Sequence, residues 1–176
     1  FVLLIDSVYT EGQVTLDVFK RVLSMQRFRK AFSNTVVLGL LTSALSTLVG
    51  LLFAYVDVYV KVKNKTVGRL FNIVSLLPVV SPPFVLSLST IMLFGRSGII
   101  TRSLLHIYDS NVYGLKGIVA VQTLTFFPVC YMMLKGLLKN IDPSLEEAAR
   151  DIGASRMKVF GTVTLPLLLP GIGNAF

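Results

Sequence analysis

The chain has 176 residues, 53% of them hydrophobic and only 15% charged, with a mean hydropathy of +0.74. A soluble domain of this length carries about 25% charged residues, so the composition excludes an ordinary soluble globule and directs attention to uncharged runs long enough to cross a bilayer. The formal net charge of +8 does not point to nucleic acid, because the basic residues lie between apolar runs and build no continuous face; basic loops beside apolar segments are what membrane topology requires.

Taken in order, Phe1–Ile5 is expected to be the tail of a preceding span rather than a signal peptide, since no basic residues stand before the apolar stretch. A basic segment follows, with Lys20, Arg21, Arg27, Arg29 and Lys30. It suits either an amphipathic segment at the membrane surface or a contact with an acidic protein. The first charge-free run, 31–56, holds 26 residues, about 39 Å as helix against a hydrocarbon core of about 30 Å. Gly39, Ser43, Ser46, Gly50 and Ala54 recur along it at steps of three or four and predict one small-residue face for close helix packing. The second run, 70–95, contains Pro78 and the pair Pro82-Pro83. Prolines free backbone carbonyls, so a bend or break is expected there, sheltered by protein or lining a path.

The third run, 117–134, is short at 18 residues, and Lys135 is expected to extend it by snorkelling. Gln122 within it suits an interhelical hydrogen bond or a place in the path. The fourth run, 159–176, reads as a span cut off before its end. The runs are too long and continuous for barrel strands, so the expected fold is all-α, a polytopic transmembrane helical bundle with spans at about 32–60, 70–95, 116–138 and 160–176. Cys130, the one cysteine, has no partner within the chain and reads as a small buried hydrophobe. His106 stands alone, without metal-ligand spacing. Apart from Asp57, at the edge of the first run, no carboxylate falls inside a span. Proton- and sodium-coupled carriers need such groups at depth, so the energy source is expected outside this chain. Charge does not orient the bundle: loops 17–30 and 96–116 carry eight Lys and Arg, loops 57–69 and 135–158 carry nine.

The segment 139–170 carries the most local information. Ser144 with Glu147 three residues on is a capping-box pattern, and Asp142 before Pro143 is a second possible start. Glu146 to Arg150 favour helix, with the acids near the positive end of its dipole. Gly153 fits the position just past a helix end, and Ser155 can cap a second short helix through Phe160. The segment therefore predicts two short helices around a tight turn, leading into a span.

These residues also carry a resemblance. Glu147-Ala148-Ala149, three residues, Gly153, nine residues, then Val163, one residue, and Leu165-Pro166 resembles the cytoplasmic-loop motif of permeases from binding-protein-dependent ABC importers. Val163 departs from the isoleucine more usual there. Asn34-Thr35 and Ala54-Tyr55 extend the similarity, which covers roughly 32–176. Pro82-Pro83-Phe84, the stretch Leu93-Phe94-Gly95-Arg96-Ser97-Gly98 and the stretch from Gln122 to Pro128 look most like the ferric-iron group. Polyamine, sulfate, molybdate and phosphonate permeases share the scaffold.

The resemblance implies an incomplete importer transmembrane domain over 32–176, with 1–31 a preceding span's tail and an extracytoplasmic segment. It places the chain in a bacterial inner membrane, with loop 139–159 in the cytoplasm. Leu145, Glu147, Ala148, Ala149, Asp151 and Gly153 are the implied contacts to ABC ATPase subunits, which would bind ATP and magnesium; this chain would hold no cofactor, no metal and no catalytic residue. Further implied partners are a periplasmic or lipoprotein substrate-binding protein and a second permease domain, fused or separate. Pro78, Pro82, Pro83 and Gln122 are the helix-break or path candidates. The chain itself contains no Gly-x-x-x-x-Gly-Lys-Ser/Thr phosphate loop. A secondary carrier or channel subunit without an ATPase is the competing class, and it leaves the loop motif unexplained. A membrane-embedded enzyme would require clustered His or acidic residues at a membrane face.

Overall fold

A computed structural model describes residues 9–10, 13–14, 16–60, 65–109 and 111–176. The sequence-expected tail at Phe1–Ile5 lies outside them. The chain divides into two compact units, 1–40 and 41–176.

The first unit holds a two-residue antiparallel ladder, β1 (Tyr9–Thr10) against β2 (Gln13–Val14), with Tyr9 opposite Val14. Helix α1 (Asp17–Ser24) follows. Met25 is extended, with φ −64° and ψ 127°, and separates α1 from α2 (Gln26–Tyr59). Helix α2 is 34 residues long, about 51 Å, and continues into the second unit.

In the second unit the buried face of α2 is Thr42, Ser46, Thr47, Gly50 and Ala54. Small and hydroxyl side chains let a neighbouring helix come close. At Gly50 the approach is closest: a Cβ there would stand 2.7 Å from Cys130 Cβ and 2.8 Å from the Tyr131 nitrogen. Gly39, expected on the same face, is exposed, with nothing near its missing side chain.

The uncharged stretch 70–95 folds as two helices, α3 (Lys65–Val80) and α4 (Pro83–Phe94). Pro82 precedes the first residue of α4, Pro83 opens it, and Pro78 lies inside α3. Two consecutive prolines lack N–H donors and restrict the residue before them, so the ladder stops at Val80. A turn through Gly95–Gly98 then leads to a π-helical segment, Ile99–Leu104, where the buried Thr101 hydroxyl donates to Gly95 O at 2.7 Å. Helix α5 (Leu115–Asn140) follows. Among the described residues three helical segments are long and apolar enough to cross a membrane: Gln26–Tyr59, Phe84–Leu104 and Leu115–Asn140; Gly68–Val80 is a shorter apolar helix.

The buried cluster is Ala54, Tyr131, Leu134, Leu138 and Leu168, joining α2 and α5 to the last helix. A polar cluster sits beside it. Lys135 Nζ lies 2.5 Å from Asp57 Oδ2, 3.0 Å from the Tyr131 hydroxyl and 3.2 Å from Asn72 Oδ1. The Tyr131 hydroxyl lies 2.8 Å from Asp57 Oδ2 and 3.0 Å from Asn72 Oδ1. Lys135 therefore does not snorkel outward as its place at the end of a short apolar run suggested. Its ammonium is drawn to a carboxylate on α2, because a half-buried cation gains more from a charged partner than from reaching along apolar surface.

Candidate functional site

The segment after α5 folds as α6 (Pro143–Asp151), a turn at Gly153, and α7 (Arg156–Val159). It continues through a π-helical stretch, Phe160–Thr164, into α8 (Leu165–Ala175). Of the two starts open to the sequence, α6 uses the earlier. Pro143 occupies the first helical position, where no N–H is needed, and Asp142 Oδ1 accepts from the Ser144 N–H at 2.9 Å. That bond holds the Asp142 carboxyl below the usual carboxylate range. At the other end Ala154 N–H reaches Ala149 O at 3.1 Å, and Gly153 N–H reaches Arg150 O at 2.8 Å. These two bonds form a Schellman closure, which needs a left-handed residue; Gly153 supplies it at φ +85°. The Ser155 hydroxyl caps α7, accepting from Lys158 N–H at 3.4 Å. Leu165 N–H bonds back to Phe160 O, five residues earlier, beside Pro166, which has no N–H. The ladder thus loosens where the loop joins the span.

Helix α6 has two faces. Glu146 points inward, its side chain 12% exposed. It accepts hydrogen bonds from the Tyr59 hydroxyl at the end of α2 and from the Thr164 hydroxyl, the latter at 3.0 Å, and pairs with Arg150 at 3.4 Å. Thr164 is buried, as is Val159. Around them Tyr55 meets Phe160 edge-on at 4.9 Å and lies 5.0 Å from Tyr59. A cavity of about 550 Å³ opens here, lined among others by Tyr55, Tyr59, Glu146, Arg150, Arg156 and Phe160. The outward face carries Leu145, Ala148 and Ile152, with Met157 beyond the turn; Ile152 is 87% and Met157 75% exposed.

Among the residues singled out from sequence, Leu145, Glu147, Ala148, Asp151 and Gly153 are exposed, and Ala149 is half-buried against the body of the unit. Glu146, Tyr59 and Thr164, which tie the loop to two helices, were missed; so were Ile152 and Met157. The spacing of Leu145, Ala148 and Ile152 is a helical stripe and was available as a signal. The capping-box and motif spacings point to Glu147, and nothing local assigns an inward role to Glu146. Pro78 lies within α3, Pro82 between α3 and α4, and Pro83 at the start of α4, all away from the loop in sequence. Gln122 Oε1 accepts from the Thr42 hydroxyl at 3.0 Å, bridging α5 and α2. Gln122 also lines a second cavity of about 570 Å³ with Ser87, Thr90, Tyr113 and Thr125. Among the described residues no three His, Cys, Asp or Glu side chains converge as a metal site would require.

Residues 46–176 match the family described as the inner membrane component of binding-protein-dependent transport systems. A ferric transport system permease protein, FbpB, from Actinobacillus pleuropneumoniae is 36% identical over 160 residues, covering 89% of this chain and 23% of that protein. The molybdenum transport system permease protein ModB of Escherichia coli K12 is 35% identical over 144 residues, covering 79% of this chain and 62% of its own length. A putative 2-aminoethylphosphonate permease, PhnU, of Salmonella typhimurium is 25% identical over 168 residues, covering 92% and 57%. The chain thus spans about a quarter of the ferric relative and less than two thirds of the others. Its fold also matches a crystal structure of a bacterial ABC transporter that imports the acidic polysaccharide alginate, with TM-score 0.77 at 19% identity, covering 98% of this chain and 63% of that one. The chain belongs to the family of inner membrane components of binding-protein-dependent transport systems, and is a multi-pass membrane protein of that family.

Proposed function

We propose that this chain supplies part of the pathway and the coupling element of an ATP-driven importer, with ferric iron as the substrate. The observation that carries the coupling half is the two-faced helix α6. Its inner face is bonded to α2 and to the π-helical entrance of α8 through Glu146, and its outer face leaves Leu145, Ala148 and Ile152 exposed. A separate ABC ATPase subunit that grips the outer face can move both membrane helices through the inner one. A rigid element joined to packed helices is what a bistable transition needs for transmission. Exposed Glu147 offers charge to that partner, and Ala148 lets it come close.

In this reading loop 139–159 is cytoplasmic, and a substrate-binding protein delivers iron at the opposite face. Residues 32–176 belong to one permease domain that pairs with a second, fused or separate. Gln122, a polar side chain beside a cavity lined mostly by apolar residues such as Phe84, Ile91, Val121 and Phe126, is the path candidate. The ferric assignment is supported by the ferric permeases from two organisms, at 36% and 34% identity. It is tested by uptake of radiolabelled iron and of molybdate in cells whose only importer of either kind contains the full-length permease. Iron uptake that needs both the permease and its binding protein supports the reading. Molybdate uptake without iron uptake overturns the substrate, and uptake that survives loss of the ATPase subunit overturns the coupling.

A further inference from the structure

Helix α1 has an apolar face that no element among the described residues buries. At 3.6 residues per turn, Val18, Phe19, Val22 and Leu23 fall within one arc of about 140°, and Asp17, Lys20, Arg21 and Ser24 fill the opposite side. None of its residues is buried, and Phe19 and Leu23 are 45% and 57% exposed. The apolar surface continues onto the first turns of α2, where Phe28 and Phe32 stack with ring centroids 6.3 Å apart and are also exposed. An isolated amphipathic helix in water would leave this surface wet, which is unfavourable.

The position of α1 says what covers it. A single residue, Met25, separates it from α2, and the charge-free part of α2 begins at Ala31. Six residues of helix span about 9 Å, so α1 lies at headgroup depth wherever α2 enters the bilayer. The extended backbone at Met25 breaks the helix axis there, so α1 need not continue along α2. The charges agree. Lys20 and Arg21 lie on the polar side, and Arg27, Arg29 and Lys30 stand at the entry to the span. An apolar face with Phe and Leu backed by Lys and Arg is the composition of helices that lie in the membrane interface.

We propose that α1 is an interfacial anchor, seated in the plane of the membrane with Val18, Phe19, Val22 and Leu23 among the acyl chains. Lys20 and Arg21 then meet phospholipid phosphates. The anchor fixes the entry of α2, which reaches the Glu146 contact at its other end. The inference goes beyond the importer reading and does not depend on the substrate.

The test uses the full-length permease in vesicles of phosphatidylethanolamine and phosphatidylglycerol, with Cys130→Ser and nitroxide labels on single cysteines at positions 19, 20, 21 and 22. Label variants are kept only if they still transport, and position 23 replaces 19 if that variant does not fold. Collision with oxygen, which concentrates in the acyl region, is compared with collision by a water-soluble nickel chelate. The anchor predicts a several-fold higher oxygen-to-nickel ratio at 19 and 22 than at 20 and 21. Equal nickel access at all four positions means a solvated helix and overturns the proposal. Shielding of 19 and 22 from both reagents means that protein covers the face, and overturns it too.

Discussion

Replacing Glu146 by alanine removes the carboxylate that receives the Tyr59 and Thr164 hydroxyls and the Arg150 guanidinium. Hydrogen bonds to a charged group are worth about 1.5–3 kcal/mol each. Both hydroxyls converge on one oxygen, Oε1, so their contributions do not simply add. The Arg150 pair, four residues along the same helix and with Arg150 45% exposed, does not join α6 to the membrane helices and adds nothing to that attachment. The loss is therefore about 3 kcal/mol in the free energy that holds α6 to the membrane helices, or on the order of a 100-fold change in local opening. Amide hydrogen exchange over residues 143–153 of the full-length permease in lipid nanodiscs reads this directly. Glu146→Ala should exchange on the order of 100-fold faster there, with α5 unaffected. Glu146→Gln keeps a carbonyl acceptor but loses the charge, and should fall between. If the alanine variant exchanges like the wild type, Glu146 does not hold the loop, and the transmission route drawn through it is wrong.

Other predictions follow from single contacts. Gly50→Ala puts a methyl 2.7 Å from Cys130 Cβ; overpacking of this kind costs about 1–3 kcal/mol and should lower the unfolding temperature in detergent, whereas Gly39→Ala, in open space, should not. Gly153→Ala places a side chain at φ +85°, at a cost of about 1–2 kcal/mol, seen as faster exchange at the C-terminal end of α6 alone. Asp57→Asn and Lys135→Met should each destabilise the α2–α5 packing, and the double variant should recover part of the loss in a thermal-unfolding cycle, because each single change strands the other charge. The folded-state pKa of Asp142 is depressed. Its cap therefore contributes fully above the unfolded carboxylate value, near 4, and fades as pH falls through the folded value. Protection of the first turn of α6 should weaken on acidification below that window, and Asp142→Asn should abolish this part of the pH dependence.

The sequence made some of this legible because the information was local. Charge-free runs located α2 and α5, since no charge can sit cheaply in hydrocarbon. The boundaries of α6 and α7 could be read from Pro143, Gly153 and Ser155, whose effects act within a turn. The break in the second apolar run followed from Pro82-Pro83. What stayed hidden depends on contacts between distant residues. The pairing of Lys135 with Asp57 joins α5 to α2, and composition alone suggested that Lys135 would seek the interface. Glu146 and Glu147 are adjacent and chemically identical; only the path of α2 beneath the loop, which brings Tyr59 there, gives the first an inward role and leaves the second exposed. The spacing of small residues placed Ser46 on the packing face, where it is buried, but nothing in that spacing indicated that its hydroxyl would have no hydrogen-bond partner among the described residues.

The coupling claim is tested most directly by ATP hydrolysis in the full-length permease reconstituted with its ATPase subunit and binding protein, comparing wild type with Glu147→Lys and Gly153→Asp. Both positions are exposed, so the membrane helices should still insert. The account predicts that binding-protein-stimulated hydrolysis collapses in both variants while the assembled helices remain intact. Wild-type stimulation in both, with transport continuing when no ATPase is bound, would contradict it.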